Sequence, residues 1–142
     1  MIIDIFQKVK GLNLPLGQYV VFGSGPLAAH GIRETRDVDL LVLPELYDKL
    51  KQEGWEEKSW ETPPPGRYLY KDNVEVGDNW DYDEYNPDPK WLIENAEVID
   101  SIPFAPLEEV IKWKKAFGRD KDLADIKLIE DYLHKAKGDS KS

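Results

Sequence analysis

Residues 19–43 read YVVFGSGPLAAHGIRETRDVDLLVL, and this stretch decides the fold. Tyr19-Val20-Val21-Phe22 is a β-branched and aromatic run too short for a helix. Gly23-Ser24-Gly25 cuts it off, which predicts a buried strand ending in a turn. Pro26 fits the first turn of a helix, where its missing N–H costs nothing, and Gly31 is placed to end that helix at C′. A strand, a Gly-rich turn and a helix start give backbone N–H groups that can meet an anion, with the Ser24 hydroxyl beside them. After the polar residues Arg33 to Arg36, Asp37-Val38-Asp39-Leu40-Leu41-Val42 predicts a second strand with both aspartates on one face. Same-face neighbours on a strand lie roughly 7 Å apart, so two carboxylates there repel unless a cation offsets them. Oxygen ligands of this kind suit Mg²⁺, which completes its shell with water and substrate phosphates. The plainer reading is an edge strand whose two aspartates are simply solvated.

Outward from this stretch, Ile2, Ile5, Phe6 and Val9 fall at helical spacing and predict a helix over 2–10, followed by a connector over 11–17. Pro44 to Gln52 predicts a structural helix stopped by Gly54. Residues 55–60 and 67–71 read as strands flanking the loop Pro63-Pro64-Pro65-Gly66. Asp72-Asn73 is a turn signal, and Val74-Glu75-Val76 then puts two valines on one face and Glu75 on the other. Glu75 is the candidate third carboxylate, against the alternative of a half-solvated strand. Residues 77–90 are acidic and aromatic without periodicity and read as a loop, with Trp80 and Tyr82 or Tyr85 packed inward. Their carboxylates fit no EF-hand spacing. A short helix near 90–95 and one strand over 97–102, ended by Pro103, come next.

Pro106 opens a helix running to about Phe117, closed by Gly118, and Asp120 caps a last helix. Its buried stripe is expected to be Leu123, Ile126, Ile129, Tyr132, Leu133 and Ala136. Between these helices, Lys114, Arg119, Lys121, Asp122 and Asp125 crowd around Gly118. On residue physics alone this is helix-dipole complementarity with i,i+3 and i,i+4 pairing, in which Asp122 and Asp125 hold Lys114 and Arg119. An exposed pair of that kind is worth about 1 kcal/mol or less. His30 is placed to bond the last carbonyls of its helix, against the alternative of a catalytic role, His134 reads as surface, and the tryptophans read as core or loop packing, with base stacking as the alternative.

At 142 residues the chain suits one domain, taken as 1–137 with a flexible tail over 138–142. Hydrophobic residues make up 41% and charged residues 33%, an ordinary folded balance, and the absence of cysteine excludes disulfides and thiolate metal sites. No apolar run approaches the roughly eighteen residues of a membrane span and no signal-peptide pattern opens the chain, so the cytoplasm is the expected location. The net charge of −9 argues against broad, nonspecific nucleic-acid binding.

Gly23-Ser24 followed by Gly31-Ile32-Arg33-x-Thr35-x-Asp37-x-Asp39-Leu40-Leu41-Val42 resembles the signature of the polymerase-β-like nucleotidyltransferase superfamily. The run from Lys114 through Gly118-Arg119, Lys121-Asp122-Leu123 and Asp125-Ile126 is similar to the C-terminal signature of the branch that includes abortive-infection, toxin-type proteins. The resemblance spans about residues 19–133, although 44–100 match only in layout. It implies a mixed α/β (α+β) domain: a small, partly antiparallel sheet with helices on one face and the C-terminal pair closing the site. It also implies transfer of a nucleoside monophosphate from an NTP to a hydroxyl of RNA, protein or a small molecule. Asp37, Asp39 and Glu75 would hold two Mg²⁺ ions, for which Mn²⁺ can substitute, although the family more often has Asp where Glu75 stands. Gly23 and Ser24 would hold phosphates, Lys114 would act on them, and Arg119, Lys121, Asp122 and Asp125 would border the nucleotide. The rival expectation is a noncatalytic nucleotide- or partner-binding module on this scaffold, an antitoxin or regulatory subunit, and either version allows a cognate partner protein.

Overall fold

Tyr19–Phe22 forms β1, and all four of its side chains are buried. Tyr19 and Val21 join one apolar cluster and Val20 and Phe22 another, so the sheet is covered on both faces. That corrects the expectation of helices on one face only. The computed structural model describes residues 2–61, 65–79 and 85–140. In chain order these form α1 (Ile5–Lys10), β1, α2 (Gly25–Ala29), β2 (Val38–Val42), α3 (Pro44–Gln52), β3 (Glu56–Trp60), β4 (Gly66–Lys71) and β5 (Val74–Gly77). They continue with α4 (Pro89–Glu94), β6 (Glu97–Ile99), β7 (Ile102–Phe104), α5 (Leu107–Phe117) and α6 (Asp120–Ser140). The fold is mixed α/β, one sheet in the order β3-β4-β5-β2-β1-β7-β6. The pairs β2–β5 and β1–β7 are parallel and the others antiparallel.

Under one face, Val38, Leu40, Val42, Leu69, Val74 and Val76 pack with Ile5 and Val9 of α1 and Leu46, Tyr47 and Leu50 of α3. On the other, Phe22 and Leu41 pack with Leu92 of α4, Leu107 and Val110 of α5 and Ile129 of α6. That second cluster draws strand residues from β1 and β2, and none from β3, β4 or β5. The helices of this side therefore cover half of the sheet.

Several local expectations are corrected. The first helix starts at Ile5 because the Asp4 carboxylate caps it, accepting from the Phe6 and Gln7 N–H groups at 3.1 and 3.2 Å. Ile2 is exposed and Ile3 bridges to Thr35 instead. The single strand expected over 97–102 is the hairpin β6–β7, turned by Asp100 and Ser101 at φ of 50° and 68°. Pro103 sits inside β7 rather than ending a strand. On α6, Ile126 and Ile129 are buried and Tyr132 and Leu133 half-buried, but Leu123 and Ala136 are exposed. The helix continues to Ser140, into the stretch expected to fray. Trp55 is buried, whereas Trp60 and Trp91 are about half exposed. The loop expectations for Pro63, Pro64, Trp80, Asp81, Tyr82, Asp83 and Glu84 fall outside the described residues. No helix among the described residues is long and apolar enough to cross a membrane.

Candidate active site

Val38, Leu40 and Val42 of β2 point into the first core, which by alternation sends Asp39 to the opposite face. There it stands between Phe22 of β1 and Glu75 of β5, its partners in register on either side. Glu75 reaches that face for the same reason, since Val74 and Val76 are buried on the other. Asp37 lies just before β2, exposed, and its carbonyl accepts from the buried Thr35 hydroxyl at 2.9 Å. All three expected carboxylates thus gather at one end of the sheet, with Asp39 and Glu75 side by side and Asp37 at the open rim.

Their charges are in conflict. Burial, then the Glu75 and Asp37 charges, push the Asp39 carboxyl up to about 8, against a smaller opposing pull from Lys114. Burial and Asp37 also raise Glu75, while a hydrogen bond from Asp39 and the Lys58 charge work the other way. Asp39 is therefore the protonated partner and Glu75 the acceptor, one proton holding two carboxyls together where like charges would repel.

Gly23 makes this arrangement possible. Its φ is +65°, and a Cβ built there would collide with the Asp39 carboxylate, so only glycine lets the turn lie against that side chain. Gly23→Ala is expected to lower stability by about 1–2 kcal/mol from the left-handed backbone alone. It should lower it further by displacing Asp39, as read by urea denaturation. A Gly23→Ala protein as stable as the parent would show that the turn relaxes freely. Ser24 is half-buried and already engaged within the protein. Its Oγ accepts from Arg33 Nη2 at 2.7 Å, and it caps α2 without a side-chain bond.

Arg33 is the residue that sequence reasoning left out of the site, although its place in the Gly31-Ile32-Arg33-x-Thr35 run was its signal. From Ser24 its guanidinium reaches across to Asp125 of α6, with Nε and Nη2 donating to the two carboxylate oxygens at 2.7 and 2.8 Å. Asp125 Oδ2 also accepts from Lys114 Nζ of α5 at 2.9 Å, and Lys114 lies 3.8 Å from Asp122. Asp122 is fully buried and is held by Arg119, whose Nε and Nη2 donate at 2.5 and 3.1 Å. Burial works to raise the Asp125 carboxyl, but the Arg33 and Lys114 hydrogen bonds outweigh it and hold that carboxyl below its ordinary range.

Ser24, Arg33, Asp125, Lys114, Asp122 and Arg119 thus form one continuous network tying the Gly23 turn to the C-terminal helices. The i,i+3 pairing foreseen for Arg119 is present, but the Lys114 pairs are buried rather than exposed. Lys121 is exposed and stands outside the network.

Among the described residues no group of three or more acidic or histidine side chains is placed to hold a metal ion. What is present is two touching carboxyls, a third within electrostatic reach and a glycine cradle facing them. Oxygen donors of this kind are the type that a hard cation takes, and Asp39 and Glu75, with Asp37 nearby, are the residues that could hold one.

His30 is the C-cap of α2, its backbone N–H donating to the Pro26 carbonyl at 3.2 Å, while its ring joins α6 to β6, with Nδ1 3.2 Å from the Tyr132 hydroxyl and Nε2 3.1 Å from Glu97. His134 is exposed. Of the inward aromatics foreseen after β5, Tyr85 is buried against Phe22 and donates its hydroxyl to Glu109 Oε1 at 3.1 Å. Compared with known proteins, the chain matches no family model, no curated protein and no solved structure.

Proposed function

We propose that the chain is a metal-dependent nucleotidyltransferase that moves a nucleoside monophosphate from an NTP to a hydroxyl. The observation that carries the proposal is the Asp39–Glu75 carboxyl pair, with Asp39 lying against the Gly23 turn and within electrostatic reach of Lys114. Two carboxyls this close share a proton in the bare protein, and positive charge delivered to them would let both ionise. Bound divalent cations of the Mg²⁺ or Mn²⁺ type would supply that charge and offset the charge of the triphosphate.

The chain's own residues divide the remaining work. Because Gly23 carries no side chain, the Asp39 carboxyl lies against the turn, where a cation it holds would bring phosphate oxygens near the turn's backbone N–H groups. Lys114 lends Asp39 a favourable positive charge, damped because it already shares Asp125 with Arg33. Glu75, on the open side, is placed to take the proton of the attacking hydroxyl. As the acceptor oxygen bonds to the α-phosphorus, the bond to the departing pyrophosphate breaks, and the hydroxyl proton passes to the carboxylate.

The second reading, a binding module without transfer, draws support from Ser24 and Lys114 being engaged inside the protein. One experiment separates the two. The protein is incubated with each α-labelled NTP, Mg²⁺ or Mn²⁺ and a broad extract of acceptors. Transfer of label is expected with the parent chain, with at least a hundredfold loss in Asp39→Asn. Label transfer unaffected by Asp39→Asn would remove this site from the reaction. Nucleotide binding without transfer would favour the binding module.

A further inference from the structure

Lys58 of β3 reaches out of its own row. In register it faces Tyr68, whereas Tyr70, one same-face step along β4, stands between Glu56 of β3 and Glu75 of β5. Paired and alternate residues share a face, so Lys58, Tyr70 and Glu75 lie on one side of the sheet. Leu69, between the two tyrosines, is buried in the opposite core, which fixes that side as the one carrying Asp39. The Lys58 ammonium sits 4.5 Å over the Tyr70 ring, so the side chain leans from the Tyr68 row into the row of Glu75. The ring face holds the charge there, next to the carboxyl pair.

Its bonding sets it apart from Lys114. Lys114 is buried between Asp125 and Asp122, and those carboxylates offset most of its charge. Lys58 is exposed and, among the described residues, forms no ion pair, although Glu56 and Glu75 flank the ring on which it rests. Its charge is felt at Glu75, where it opposes burial and the charge of Asp37.

An unpaired ammonium beside a cation site acts by sign. It repels a free divalent ion, whereas the complex of that ion with a triphosphate carries net negative charge and is attracted. Resting on the function proposed above, we propose that Lys58 is the selecting charge of the site: it disfavours a free ion at Asp39 and Glu75 and favours one that arrives bound to a nucleoside triphosphate. Lys58 does this through its field, without touching the metal, and the Tyr70 ring is the seat that fixes where the field originates. The donor count fits the same reading. Among the described residues no third acidic group joins the two touching carboxyls to hold an ion, and the triphosphate would bring the missing oxygens with it.

The test is a pair of titrations on the full chain with opposite expected signs. Mn²⁺ binding is measured by electron paramagnetic resonance without nucleotide, and binding of Mg²⁺ together with a non-hydrolysable ATP analogue is followed by calorimetry. Lys58→Met keeps an unbranched stem on the ring and removes the charge. It is expected to tighten Mn²⁺ about three- to tenfold and to weaken the analogue complex about three- to tenfold. Lys58→Arg keeps the charge and stacks on a ring, so it should stay within about twofold of the parent for both ligands. Added salt should shrink both differences, and circular dichroism should confirm that each variant is folded.

Loss of stem packing alone would leave both affinities unchanged or move them in the same direction. Either result in folded Lys58→Met would overturn the proposal, as would a Lys58→Arg protein that behaves like Lys58→Met. The Mn²⁺ titration contains no nucleotide, so its outcome is separable from that of the transfer assay. Equal binding of the analogue complex by parent and Lys58→Met would remove the selection and leave the nucleotide site standing, whereas no binding by either would remove the nucleotide site itself.

Discussion

Asp125→Asn is expected to lower stability by about 3–5 kcal/mol, the cost of breaking a buried charge pair by removing one partner. Asp125 is the anion that Arg33 and Lys114 share, and its loss leaves Lys114, only 4% exposed in its side chain, with Asp122 at 3.8 Å. Lys114→Met should cost less, about 3 kcal/mol at the lower end of that range, because each aspartate keeps an arginine. This reverses the small effect that an exposed pair would give, and the reason is burial. The Asp125 carboxyl is held low by its cations, so its contribution is present above the ordinary carboxylate range. It fades as pH falls through the folded value, so parent and Asp125→Asn should converge in acid. Chemical denaturation at pH 7 and in acid measures both statements. A cost below about 1 kcal/mol at pH 7 would show that the network is solvated and leaves the helices free of the Gly23 turn.

The second large effect is the pH dependence of the metal-free protein. Asp39 is raised to about 8 when folded, so between the ordinary carboxylate range and that value the folded chain holds a proton that the unfolded chain has released. Stability must then fall as pH rises through this window, by up to about 1.4 kcal/mol per pH unit for one full proton. Asp39→Asn, with no charge to place there, should flatten the curve and should be more stable than the parent near pH 8. Added Mg²⁺ should stabilise the parent more at pH 8 than at pH 5, releasing protons on binding, and should do nothing for Asp39→Asn. Superimposable parent and Asp39→Asn melting profiles from pH 5 to 8 would sink both the carboxyl conflict and its use as a cation site.

These effects trace back to information of different reach. The β-branched run at Tyr19–Phe22, the helix end at Gly31 and the alternation that sends Asp39 and Glu75 away from their valines are properties of a few adjacent residues. Backbone sterics and side-chain period act at that range, so they could be read directly. The β6–β7 turn could not be read that way. Asp100 and Ser101 take the left-handed conformation without the glycine that usually announces it, and the sheet pairing of Pro103 overrides its strand-ending habit. Leu123 and Ala136 fit a helical stripe, but which part of the stripe is covered depends on where α6 meets the sheet.

The sequence by itself determined most of the elements, the mixed α/β class and the residue types at the candidate site, but not the β6–β7 hairpin. Only the tertiary structure decided that Asp39 and Glu75 touch, because that contact depends on β5 joining β2 in parallel register across more than thirty intervening residues. It alone also turned Arg33 from a loop cation into the link between Ser24 and Asp125, 92 positions away in the chain. Charge and burial act through space, and the distance along the chain carries no trace of either until the sheet order is set.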